Sequence, residues 1–169
     1  MADWSGLLNW STKYHDGTKP SDFQPMSEED KKWLTEAMKD YTFNDVDRLK
    51  EVCEELKKDV ENGFKNVEVV DLLEECQELI EIHERNCLNL CLLGGLESLM
   101  KYITSHPDAE ARIIACQTFN QVVQNNEEVQ NIAHKLHAFN LMNLFVAQTD
   151  IKNKEALFGA LSSFIRGVN

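Results

Sequence analysis

Apolar residues recur along this chain with the period of helices almost throughout. Trp33, Leu34, Ala37 and Met38 fall at helical spacing, and Tyr41 extends the stripe. Ahead of them Ser27-Glu28-Glu29-Asp30 sets a serine three residues before an acid, a near relative of the capping box that starts helices. A second helix is predicted from Asn44 or Asp45. Val46, Leu49, Val52, Cys53, Leu56 and Val60 line one side of it, and Glu51, Glu54, Glu55, Lys57 and Lys58 the other. Asn62-Gly63 ends it, because glycine accepts the left-handed conformation that closes a helix. These two helices form an expected N-terminal helical hairpin cap over residues 26–65. Before it, Ala2 to Tyr14 reads as a short amphipathic helix with Trp4, Leu7, Leu8 and Trp10 near one face and Asp3 as N-cap. Lys13 to Pro25 is rich in turn formers, so residues 1–25 are expected to be a flexible segment, a helix on a linker.

From residue 66 the pattern repeats. Leu79, Phe119 and Leu161 lie 40 and then 42 residues apart, and Ile82, Val122 and Phe164 keep the same steps. The match continues through Glu84, Gln124 and Arg166, and the first two copies share Asn86 and Asn126. A helical repeat of about 41 residues is the signature of armadillo or HEAT solenoids. The fold expected is therefore all-α, an armadillo-type helical repeat solenoid (an α-α superhelix) behind an N-terminal helical cap, with repeats over 66–169 and the third incomplete. In the middle copy a long helix is predicted from Asp108 to Gln124, with Ile113, Cys116, Phe119 and Val123 inward. Shorter helices follow over Glu127 to Leu136 and His137 to Gln148, then a third long helix over Lys154 to Arg166. One repeat cannot bury such a face alone, so neighbours must stack. Leu157, Phe158, Leu161 and Phe164 are expected to be left partly uncovered, as in a fragment of a longer stack or a face that pairs with another copy.

Composition narrows the function. A net charge of −12 disfavours a general nucleic-acid binder, which needs Lys and Arg to replace phosphate counterions. No long basic or apolar N-terminal run suggests a signal peptide, and no stretch is apolar enough to span a membrane. Five cysteines without a secreted spacing point to free, buried thiols in a reducing, cytoplasmic setting.

Catalytic and metal chemistry find little support. His83, Cys87 and Cys91 fall at i, i+4 and i+8 with Cys76 earlier, but no CxxC pair accompanies them, and packing thiols are the better reading. No GxSxG elbow and no phosphate-binding glycine loop is present. The chain is thus expected to be no enzyme and to need no cofactor. What remains is a surface for a macromolecule. In a helical solenoid the long helices line a concave groove, and equivalent positions form ladders across it. Glu81, Gln121 and Ser163 make one ladder and Glu84, Gln124 and Arg166 a second, with Asn86, Asn125 and Asn126 at the helix ends.

Several blocks resemble one family. They are Leu7-Leu8-Asn9-Trp10-Ser11, Met26-Ser27-Glu28-Glu29 with Trp33-Leu34 and Glu36-Ala37-Met38, and Gly94-Gly95-Leu96. Val123-Gln124-Asn125-Asn126 with Gln130-Asn131, and Lys154 to Phe158 with Phe164-Ile165-Arg166, complete the set in the same order. The chain is similar in these to the heat-shock-70-binding-protein family of armadillo nucleotide exchange factors. The resemblance implies a cochaperone whose concave face clasps the nucleotide-binding domain of a DnaK-type chaperone and promotes ADP release without covalent chemistry. It gives Leu7, Leu8 and Trp10 a role in the flexible segment that frees clients. Where the family carries Asp-Asn-Ala, this chain has Arg85-Asn86-Cys87, so the contact role passes to Asn86, and Cys87 is kept as a small-residue position. The alternatives are an armadillo scaffold without exchange activity and a module that self-associates through its last helix.

Overall fold

The computed structural model describes Gly6 and residues 26–39 and 45–166. The N-terminal helix and linker, with Leu7, Leu8 and Trp10, lie outside the described residues. The chain divides into two compact units, Met1–Phe43 and Asn44–Asn169. The two helices of the expected cap therefore fall in different units.

In the first unit α1 runs over Glu28–Lys39. Ser27 starts it as its neighbours predict: its Oγ accepts the Asp30 N–H at 3.1 Å and its hydroxyl donates to the Asp30 carboxylate at 2.7 Å. Trp33 is exposed on the described part of this helix.

The second unit contains α2 (Asp45–Glu61), α3 (Val69–Ile82), α4 (Arg85–Leu92), α5 (Gly95–Ser105), α6 (Ala109–Val123), α7 (Glu127–Lys135), a 3-10 turn (Ala138–Asn140), α8 (Leu141–Ala147) and α9 (Ile151–Ile165). No strand occurs among the described residues, so the protein is all-α. Aspartates start the long helices α6 and α9: Asp108 accepts the Glu110 N–H and Asp150 the Asn153 N–H. Gly63, at φ +77°, closes α2 in the left-handed region. α2 packs on α3 and α5, while α6 packs on α3, α5 and α9. The core fills the seams between them, with Leu49, Leu56, Leu73, Leu99, Tyr102, Phe119 and Phe164 excluded from water. Each side chain of that size contributes about 1.5–3 kcal/mol when buried.

Two blocks correspond helix by helix. α4, α5 and α6 are followed by α7, the 3-10 turn with α8, and α9, and both blocks end in a helix of 15 residues. In each, a left-handed residue turns the chain from the first helix into the second: Gly94 at φ +81° and His137 at φ +60°. Two inward assignments change. Ile113 is half-buried rather than core, and Val46 is exposed. Of the four residues expected to be left uncovered on the last helix, Leu157, Leu161 and Phe164 are buried against the stack, and Phe158 alone is open, at 63%.

A clamp holds the α2–α3 loop. The buried Asp59 carboxylate accepts the N–H groups of Lys65 and Asn66 at 2.8 and 2.7 Å and the Tyr102 hydroxyl at 2.6 Å. Phe64 lies edge-on to Tyr102 and His106, with ring centroids 5.3 and 5.0 Å away, and this holds it at φ +60°.

Candidate functional site

The three long helices lie side by side, α6 between α3 and α9. Their apolar flanks face the core, so helical periodicity turns a polar ridge of each to solvent. On α3 the ridge is Asp71, Glu74, Glu78 and Glu81; on α6 it is Gln117, Gln121 and Gln124 beside Asn120; on α9 it includes Lys152, Glu155 and Ser162. Charge therefore changes across the face, from acidic on α3 through uncharged amides on α6 to mixed charge on α9, where Arg166 ends the helix.

The first ladder is partly assembled. Gln121 Nε2 donates to Glu81 Oε1 at 2.9 Å, joining α6 to α3 across 40 residues of sequence. Ser163 is half-buried, and its backbone carbonyl accepts from Gln130 Nε2 at 3.1 Å. Glu84, Gln124 and Arg166 of the second ladder are all exposed, Gln124 and Arg166 as the C-terminal caps of α6 and α9.

The placing of Asn86 and Cys87 on the binding face needs correction. Asn86 is only 1% exposed. Its Nδ2 donates to the Leu79 carbonyl at 2.8 Å and to Asp45 Oδ2 at 2.7 Å, and its Oδ1 accepts from Asn89 at 3.2 Å. Cys87 beside it is 8% exposed. A partner cannot reach either side chain, and both leave the binding face. Asn126 caps α7, its Oδ1 accepting the Val129 N–H at 3.2 Å, and Asn125 takes the left-handed turn before it at φ +55°. The physical reason is shared: helix ends leave backbone groups without intrahelical partners, and side-chain amides satisfy them. The structural counterpart of Asn86 is Gln130 rather than Asn126. Gln130 Nε2 donates to the Val123 carbonyl at 2.8 Å, seven residues earlier, just as Asn86 does to Leu79.

Sequence reasoning missed Gln117, Asn120, Lys152, Glu155 and Gly159, which border a groove between α6 and α9. Gln117 was within reach, since it lies one turn before Gln121 on the same helix. The pairing of the other four with α6 or α9 neighbours required the fold.

Burial pushes the thiols of Cys53, Cys91 and Cys116 up to about 12, and those of Cys76 and Cys87 also upward, so they stay protonated near neutrality. Among the described residues no group of three or more His, Cys, Asp or Glu could hold a metal: His83 is exposed while Cys87 is buried. Also among them, no helix is long and apolar enough to cross a membrane. Arg48 grips Glu75 through Nε and Nη2 at 2.6 and 2.7 Å, which holds that carboxyl below the usual glutamate range.

No family model, curated protein or solved structure matches the chain. The family resemblance therefore rests on the residues quoted for it.

Proposed function

We propose that this chain is an armadillo-type cochaperone whose α3–α6–α9 face binds the nucleotide-binding domain of a DnaK-type heat-shock-70 chaperone and promotes ADP release. The observation that carries the reading is the Glu81–Gln121 bond at 2.9 Å, which knits two long helices into one polar, solvent-facing surface. Gln124 and Arg166 extend that surface along the helix ends. The chaperone itself is inferred from the resemblance of the quoted sequence blocks. No covalent step is required. A factor that binds the open, nucleotide-free domain more tightly than the closed one shifts the equilibrium toward opening, and by linkage nucleotide weakens its binding by the same factor.

Release of a fluorescent ADP analogue from the chaperone, followed by stopped flow, tests the proposal. Acceleration that rises with protein concentration and falls in the exposed variants Gln124→Arg and Arg166→Glu is the expected result. Binding without acceleration would leave a non-enzymatic armadillo scaffold as the reading. A second copy is the other partner to consider, because Phe158, Val146 and Ile151 are exposed on α8 and α9. Light scattering over a concentration series separates that self-association from chaperone binding.

A further inference from the structure

Two adjoining furrows cross the shorter helices of the second unit. One, of about 210 Å³, lies between α2 and α5 and is bordered by Lys57, Glu61, Gly94 and Lys101, with Val60 in its lining. The other, of about 320 Å³, lies between α5 and the turn that leads from α7 into α8, and Lys101, Lys135, His137 and Asn140 border it. Met100 and Leu136, half-buried, and the buried Leu141 give this larger furrow an apolar lining. Glu97 and Lys101 line both spaces, so the two share the ridge of α5. Three exposed lysines thus flank the furrows from three helices, in a chain whose net charge is −12. Among the described residues none of the three has an ion-pair partner; the ion pairs there belong to Lys31 and Arg48. His137 adds a second observation. It holds a left-handed φ of +60° at the turn where the preceding block has Gly94. A side chain is kept there against the backbone preference, and it borders the larger furrow.

We propose that these furrows bind a short acidic segment of a partner protein, with an aliphatic side chain entering the larger space and carboxylates meeting Lys101 and Lys135 on either side of it. A lysine ammonium is a compact charge with three rotatable donors, so it takes the carboxylates of a flexible segment without demanding one angle. Lys57 extends the charge into the smaller furrow. Screening over about 8 Å at physiological ionic strength lets these lysines outweigh the carboxylates elsewhere on the chain. Asn140 and His137 supply donors for the backbone carbonyls of the segment. Glu61 and Glu97 interrupt the lysines, which disfavours nucleic acid, whose phosphates follow one another without a break. None of these residues lies on α3, α6 or α9, so the site is separate from the proposed chaperone contact.

The test is fluorescence anisotropy with a fluorescein-labelled, amidated octapeptide that repeats Glu-Asp-Leu, titrated with the full chain and with no chaperone present. Three probes are set against it: the same peptide with Gln and Asn for its acids, the same peptide with Ser for its leucines, and a labelled single-stranded DNA oligonucleotide. A saturable rise is expected with the acidic peptide, at least about fivefold tighter than with any of the three. Reversing both charges, in the double variant Lys101→Glu with Lys135→Glu, should cost about tenfold in affinity and leave the thermal midpoint in place, since both side chains are exposed. His137→Gly should weaken binding about twofold while raising the midpoint, a pairing that unfolding cannot produce. Absence of a saturable rise at protein concentrations up to about 1 mM overturns the proposal. So does equal affinity for the neutral or the Ser peptide, an oligonucleotide that binds as tightly, or an affinity unchanged in the double variant.

Discussion

The buried joints of the second unit and the open face of its long helices treat the same kind of side chain in opposite ways. At the joints every notable polar group has found a partner: Asp59 accepts three donors, Asn86 donates to two acceptors, and Gln130 ties Val123 to Ser163. On the face, Gln121 Oε1 and Asn120 Oδ1 meet no donor among the described residues, and a glycine lies inside α9. Amides at the joints are fully partnered, and amides on the face are partnered only in part. Substitutions at the joints should therefore lower stability, and substitutions on the face should alter binding while leaving the fold in place.

The largest effect is expected at the clamp. Asp59→Ala leaves the N–H groups of Lys65 and Asn66 and the buried Tyr102 hydroxyl without their acceptor, and urea denaturation should show a loss of about 3 kcal/mol. Asn86→Ala comes next, at about 2 kcal/mol, because it strands the Leu79 carbonyl and one Asp45 contact. A stability unchanged by Asn86→Ala would return that residue to the surface and break the comparison. His137 holds a left-handed conformation that glycine takes without strain, so His137→Gly should gain up to about 1 kcal/mol in the same assay.

The Arg48–Glu75 pair is smaller still, since both side chains are about a third exposed, at 33% and 35%, and solvent screens them. Its contribution, below about 1 kcal/mol, is complete above the ordinary glutamate pKa of about 4.3. It is lost as pH falls through the depressed value of Glu75. Glu75→Gln should therefore flatten the acid limb of the stability profile slightly and leave the neutral plateau almost unchanged. The smallest change in stability belongs to Gln124→Arg and Arg166→Glu, within about 0.5 kcal/mol, because both residues are exposed.

Much of the helical plan was legible in the sequence, because helix ends follow local chemistry. Ser27, Gly63 and Asp108 each mark a boundary through a bond or a backbone conformation that neighbouring residues determine. Leu79, Phe119 and Leu161, matched by their spacing, are all buried, Leu161 against the expectation that it be partly uncovered. Burial by a neighbour was less legible. Cys116 and Phe158 occupy matching places in α6 and α9, 42 residues apart, yet one is 2% exposed and the other 63%. α6 is flanked by two long helices and α9, among the described residues, by one.

The roles of the amides were legible least. Identity at matched spacing paired Asn86 with Asn126, whereas the fold repeats a donor that reaches the carbonyl seven residues earlier, supplied by Asn86 in one block and by the longer Gln130 in the next. Asn120 and Gly159 meet only because α6 and α9 pack together, and nothing local to either announces the groove.

Isothermal titration of the chaperone's nucleotide-binding domain tests the central claim most directly, with the domain nucleotide-free, ADP-loaded and ATP-loaded in turn. The account predicts tightest binding to the nucleotide-free domain, weakening with either nucleotide, and a further loss in Gln124→Arg and Arg166→Glu with helical content unchanged. Absence of binding, or the same affinity in all three nucleotide states, would contradict it.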